Sequence, residues 1–169
     1  MRKLSVFSLV CVLFVLSSCS AKQNPDNNTF AVTNDTVDFS FNVPSDWEYI
    51  KNDAMVAVQN AQKNANISVT SFEQPKDQSV NDYFEQYKET FKTAFKNMEI
   101  VYDNEIKADG IPARRITYTN DLGQDSFKCD MVIMSKNAVL YTVTFTTTPE
   151  KYDENVETFN SMLDSFKFK

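Results

Sequence analysis

Histidine is missing from all 169 residues. That absence removes Ser-His-Asp and Cys-His catalysis, His-ligated zinc and the usual general base near neutral pH. Glycine is nearly as scarce, with only Gly110 and Gly123. Two separated glycines cannot build the GxxxxGK or GxGxxG loops that cradle phosphates. Cysteine occurs three times, at Cys11, Cys19 and Cys129. Cys11 belongs to an N-terminal apolar run and Cys19 closes it, so Cys129 has no intramolecular partner and no disulfide framework is expected. A long membrane span is also lacking. The apolar run Leu4–Leu16 falls short of the roughly 20 residues a transmembrane helix needs.

What the N-terminus does have is a basic head (Arg2, Lys3), a short apolar core and the small residues Ser17 and Ser18 before Cys19. Basic head, apolar core and small residues before a cut describe a secretory signal. Leu16-Ser17-Ser18-Cys19 resembles the lipobox of bacterial lipoproteins, which implies removal of residues 1–18 and a lipid on the Cys19 thiol. The expected organisation is therefore a signal over 1–18, a lipidated cysteine and polar flexible tether over 19–29, and one domain over 30–169. Removing the signal takes Arg2 and Lys3 from the 17 basic residues and none of the 23 acidic ones, leaving a formal charge of −8. Such a domain is repelled by phosphate backbones and anionic headgroups, so nucleic acid is excluded as a partner and the lipid must hold the chain at the membrane.

Period-2 alternation marks the strands. Val37, Phe39 and Phe41 alternate with polar residues until Pro44, and Trp47 follows in an expected turn. Val56 with Val58, and Ile67 with Val69, make a hairpin across the polar stretch 60–66. Further strands follow over 99–107, 115–119, 127–134 and 139–146. Asp109-Gly110, the stretch Asn120–Gly123 and Lys136-Asn137 are the expected turns, and tight turns imply antiparallel pairing. A helix is expected over 80–98, N-capped by Ser79, with Val80, Tyr83, Phe84, Tyr87, Phe91, Ala94, Phe95 and Met98 on one face. A second is expected over 149–166, with Thr148 as N-cap and Pro149 at N1. The fold class is α+β: an antiparallel sheet of about six strands packed with two main helices.

The stretch Phe39-Ser40-Phe41-Asn42-Val43-Pro44-Ser45-Asp46-Trp47, together with Gly110-Ile111-Pro112-Ala113, the aromatic Tyr118, the strand Tyr141–Phe145 and the run Phe159 to Ser165-Phe166, resembles the PsbP-like family over residues 30–169. The resemblance implies an α/β/α sandwich, a bacterial PsbP-like lipoprotein, and a domain that binds other proteins without catalysis. It also implies helices on both sides of the sheet. Metal binding proposed in that family uses histidine and carboxylates, and does not carry over to a chain without histidine.

Candidate residues are few. Cys129 lies on an apolar strand face with nothing to activate it and reads as a small buried hydrophobe. Trp47 reads as a pin between a loop and the core. Asp121, Asp125 and Asp130 do not match calcium-loop spacing, and turn chemistry accounts for the first two. Arg114 and Arg115 point to opposite faces of a strand, one expected to pair with an acid and the other to be solvated. Thr142, Thr144 and Thr146 line one side of a strand, and Thr117 and Thr119 one side of another. If a helix covers them they are merely good strand formers; if not, they form a wet surface with Arg115 at its edge. The expected function is an exported, membrane-anchored lipoprotein, with no catalytic residues, metal or cofactor, that docks a protein or envelope component. A small-molecule or metal-ion capture protein is the alternative.

Overall fold

Seven strands form one antiparallel sheet in the order β4-β5-β6-β10-β9-β8-β7 in the computed structural model. They are β4 (Trp47–Lys51), β5 (Val56–Asn60), β6 (Ala65–Glu73), β7 (Lys96–Ala108), β8 (Ile111–Leu122), β9 (Asp125–Lys136) and β10 (Val139–Thr147). A second sheet runs β1-β2-β3-β11, from β1 (Gln23–Asn24), β2 (Thr29–Val32), β3 (Phe39–Pro44) and β11 (Lys167–Phe168). Helix α1 spans Val80–Ala94 and α2 spans Tyr152–Asp164, preceded by a 3-10 turn over Pro149–Lys151. The structure describes residues 23–24, 29–32, 38–51 and 55–169. The signal over 1–18 and Cys19 lie outside the described residues.

Period-2 alternation sends the two sets of side chains on β8, β9 and β10 into two cores. One face joins Val132, Met134, Tyr141, Val143 and Phe145 to α2 and to β3, through Phe159, Leu163, Phe39 and Phe41. The other joins Ile116, Tyr118, Met131, Ile133 and Leu140 to α1, through Tyr83 and Phe84. The result is three layers: α1, the seven-stranded sheet, then α2 beside the small sheet. Phe166 stacks on Phe39 with ring centroids 5.2 Å apart, clamping the end of α2 to β3.

Local chemistry explains where the chain departs from its periodicity. Ser79 caps α1 reciprocally: its hydroxyl accepts from the Asp82 backbone N–H, and Asp82 accepts from the Ser79 backbone. The helix ends at Ala94 rather than at Met98, because Phe95 turns extended (φ −108°, ψ 123°) and Asn97 is left-handed. Met98 and Ile100 then serve the same core from β7. Trp47 opens β4 instead of sitting in a turn, buried beneath the core as a pin. The hairpin between β9 and β10 turns on Asn137-Ala138, one residue later than Lys136-Asn137, with φ of 53° and 59°. Two left-handed residues are what the twist of a tight hairpin requires. Part of the polar stretch 20–28 is also structured, since Gln23 and Asn24 pair with Phe30 and Thr29.

Candidate docking face

Asp130 is completely buried on the α2 side of the sheet. It accepts hydrogen bonds from Thr117 Oγ1 and Arg115 Nη2, and from the Tyr152 hydroxyl at 3.0 Å. Arg115 also donates to Asn160 Oδ1 at 2.9 Å and lies over the Phe159 ring, 5.2 Å from its centroid. Burial, and then the Asp130 charge, push the Tyr152 phenol up to about 12, so it remains a donor. Lys128 sits 3.7 Å from the centre of the Tyr152 ring. Every group here is spent on a neighbour in the fold, so the network bolts α2 to β8 and β9.

Arg114, on the other face, donates to Asp103 and to Glu85 at 2.9 Å and covers the Phe84 ring at 4.1 Å. Its hydrogen bonds hold the Asp103 carboxyl below the usual carboxylate range. Both arginines are therefore paired, and the expectation that one would be solvated is corrected. Each found an acid because the sheet has a helix on both sides.

The threonines do not form one surface. Thr117 stands across from Asp130, and Asp130 from Phe145, so that row faces α2. Thr119 follows on the same face, paired with Lys128. Thr142, Thr144 and Thr146 pair with Ile133, Met131 and Cys129, so they face the α1 side. Arg115 and Thr117 are thus separated by the sheet from Thr142, Thr144 and Thr146. A two-residue period assigns faces only within a strand; register decides which faces match between strands, and here it sets them opposite.

Thr146 is buried, 3.7 Å from the Cys129 thiol. Thr142 and Thr144 are only half-buried: α1 packs mainly across β7, β8 and β9 and meets β6 and β10 at Phe72 and Leu140, at one end of those strands. Beside them, Thr70 pairs with Thr142, their hydroxyls 2.5 Å apart, and Ser68 pairs with Thr144. Ala57 and Gln59 on β5 continue the rows, paired with Ser68 and Asn66. This half of the sheet is a hydroxyl-rich face. Four strands at about 4.8 Å spacing and roughly 17 Å long give it roughly 300 Å². That suits the centre of a protein interface of about 800 Å² per partner.

Two shallow grooves run along the far side of α1. The larger, about 480 Å³, is lined by Lys88, Lys92, Met98, Glu99, Ile100 and Asp103. Lys88 and Lys92 are paired within the helix to Glu85 and Glu89. On the neighbouring outer strand β7, Val101 and Tyr102 are 58% and 54% exposed. Two register shifts break this strand, an arrangement that discourages pairing of a further strand at a sheet edge. Among the described residues, no group of three or more Cys, Asp or Glu is placed to hold a metal ion. Asp130 is turned to the α2 face, while Asp121 accepts from Asn97 and Ser126 at the far turn.

The sequence matches the PsbP-like protein family over residues 15–168. No curated protein matches it. The solution structure of cyanobacterial PsbP from Synechocystis superposes with a TM-score of 0.69 at 16% identity, covering 91% of this chain and 99% of that one. The Ran-binding protein Mog1p of Saccharomyces cerevisiae gives a TM-score of 0.61 at 10% identity, covering 83% of this chain and 95% of that one. LpqN of Mycobacterium tuberculosis, involved in cell envelope biogenesis, gives 0.56 at 10% identity, covering 78% of this chain and 83% of that one. These likenesses establish the shared fold.

Proposed function

We propose a docking role for this chain, which belongs to the PsbP-like protein family: an exported lipoprotein, anchored through Cys19, whose non-catalytic domain binds a protein partner in the cell envelope. The observation that carries the reading is the half of the sheet where Ser68, Thr70, Thr142 and Thr144 stand half-buried and, among the described residues, beside rather than beneath α1. Unlike the Asp130 network, this surface has hydroxyls to offer a partner. A small molecule binds in a concave site, and the two grooves described above are lined by other residues, so this nearly uncharged sheet face suits a protein surface better. The Ran-binding protein among the structural neighbours and the envelope protein LpqN support a protein partner and an envelope setting.

Two measurements test it. Metabolic labelling with an alkyne fatty acid should mark the wild-type chain and not Cys19→Ala. Chemical cross-linking in intact cells should give one discrete adduct, lost in the double variant Ser68→Arg, Thr144→Arg. Both arginines project outward from half-buried positions, so melting should shift by no more than a few degrees. An adduct that survives in a folded double variant would contradict the reading.

A further inference from the structure

We infer that the step between α1 and the hydroxyl-rich half of the sheet receives one α-helix of the partner, lying alongside α1 with an uncharged stripe turned inward. The inference rests on the docking reading above and names what docks. Six intervals of about 4.8 Å make the seven-stranded sheet about 29 Å wide. Helices laid side by side stand about 8–10 Å apart, so the α1 side has room for three; among the described residues it holds one. Because α1 lies mainly over β7, β8 and β9, its axis runs near β8. A neighbour about 10 Å away is displaced by two strands, which puts it over β10 and against β6. The floor there is Ser68, Thr70, Thr142 and Thr144, all half-buried and all small enough to let a backbone approach.

Charge defines the contact stripe. Among the described residues of β4, β5, β6 and β10, Glu48 is the one charged side chain on this face. It stands on the outer strand and accepts from Gln59 Nε2 at 3.4 Å. The wall is equally neutral. Glu85 bonds Arg114, and Lys88 and Lys92 line the groove toward β7. At 3.6 residues per turn the opposite flank of α1 carries Gln86 and Thr90, both exposed, next to Tyr83, whose ring lies 5.2 Å from that of Phe72 on β6. A charge brought against this floor and wall loses water without gaining a partner. That excludes a helix of a second copy as the occupant. Its exposed sides carry Asp82, Glu85, Glu89 and Lys92 on α1, and Asp153, Glu154, Glu157 and Asp164 on α2. The same chain does not supply the helix either: the stretches 25–28, 33–37 and 52–54 are too short for three turns, and 1–22 serve as signal, anchor and lead in the proposed reading.

The test places a photo-crosslinking amino acid at Thr70, Thr144, Thr90 or Lys92 of the full chain in its own cells, and maps each adduct to the attached residue by mass spectrometry. Positions 70, 144 and 90 should give adducts with one segment of one partner, attached at residues about three or four apart, the spacing of a helix face. Position 92, on the other flank, should give none. Thr90→Arg, a change at an exposed helix position that should leave melting unaltered, should lower the adduct at 144 several-fold. Attachment at alternating residues or in separate segments overturns the helix, as does an unchanged adduct at 144 in Thr90→Arg or an adduct at 92 equal to that at 90. These outcomes leave the docking reading standing. Attachment to residues of this chain itself, or no adduct from 70 or 144, defeats the docking reading and this inference together.

Discussion

Asp130 receives three donors in a place no water reaches, so its loss leaves Arg115, Thr117 and Tyr152 short of a partner at once. Breaking a buried pair by removing one member costs about 3–5 kcal/mol. Asp130→Ala should lower the melting temperature by roughly 10 °C, taking about 2–4 °C per kcal/mol for a domain of this size; a loss of only about 2 °C by calorimetry would contradict the assignment. Tyr152 adds a pH signature. Its folded pKa, about 12, lies above the ordinary 10.0, so its contribution is whole below pH 10.0 and disappears as pH rises through about 12. Tyr152→Phe should therefore flatten the alkaline decline in stability between those values. The carboxylates run the other way: Asp103 and Asp109, depressed by Arg114 and Lys167, stabilise above the ordinary 3.8 and lose that contribution as pH falls below it toward their lower folded values. Ala138 is exposed at φ 59°, where an L side chain is strained, and Ala138→Gly should stabilise by roughly 0.5–1 kcal/mol. Asp130 was visible in the sequence as a polar residue on an alternating strand. Its partners were not, because Arg115, Tyr152 and Asn160 come from elements that only the register of β8 on β9 and the docking of α2 bring together.

At the scale of elements, the clearest patterns were local ones. The capping box of α1 is written in Ser79 and Asp82, three residues apart, and Ser79→Ala should cost about 1 kcal/mol by denaturant unfolding. Strands β8, β9 and β10 alternate cleanly because each has a core on both sides and must sort its side chains. The end of α1 was harder to read. Met98 continues the helical spacing of Phe91 and Phe95, yet it reaches the same core from β7, so periodicity cannot tell the two routes apart. Strand β4 was hidden because Trp47 and Tyr49 resemble loop anchors until they pair with Asn60 and Val58. The placement of the threonines was not legible either: a shift of one residue in register would have put Thr117 and Thr144 on the same face.

For the molecule as a whole, the account joins an anchor, a body and a face. In the proposed reading the lipobox-like Leu16-Ser17-Ser18-Cys19 is the anchor, the three layers with their two separate cores are the body, and the hydroxyl-rich half of the sheet is the face for a partner. Helix α1 decides this by its length and position, lying mainly over β7, β8 and β9 and touching β6 and β10 only at Phe72 and Leu140. The most direct test places a photo-crosslinking amino acid at Thr144, and for comparison at Glu157 on α2, in the full chain expressed in its own cells. The account predicts a discrete adduct from position 144 that is absent from position 157 and is abolished by Thr70→Arg. No adduct at 144, or the same adduct from both positions, would contradict it.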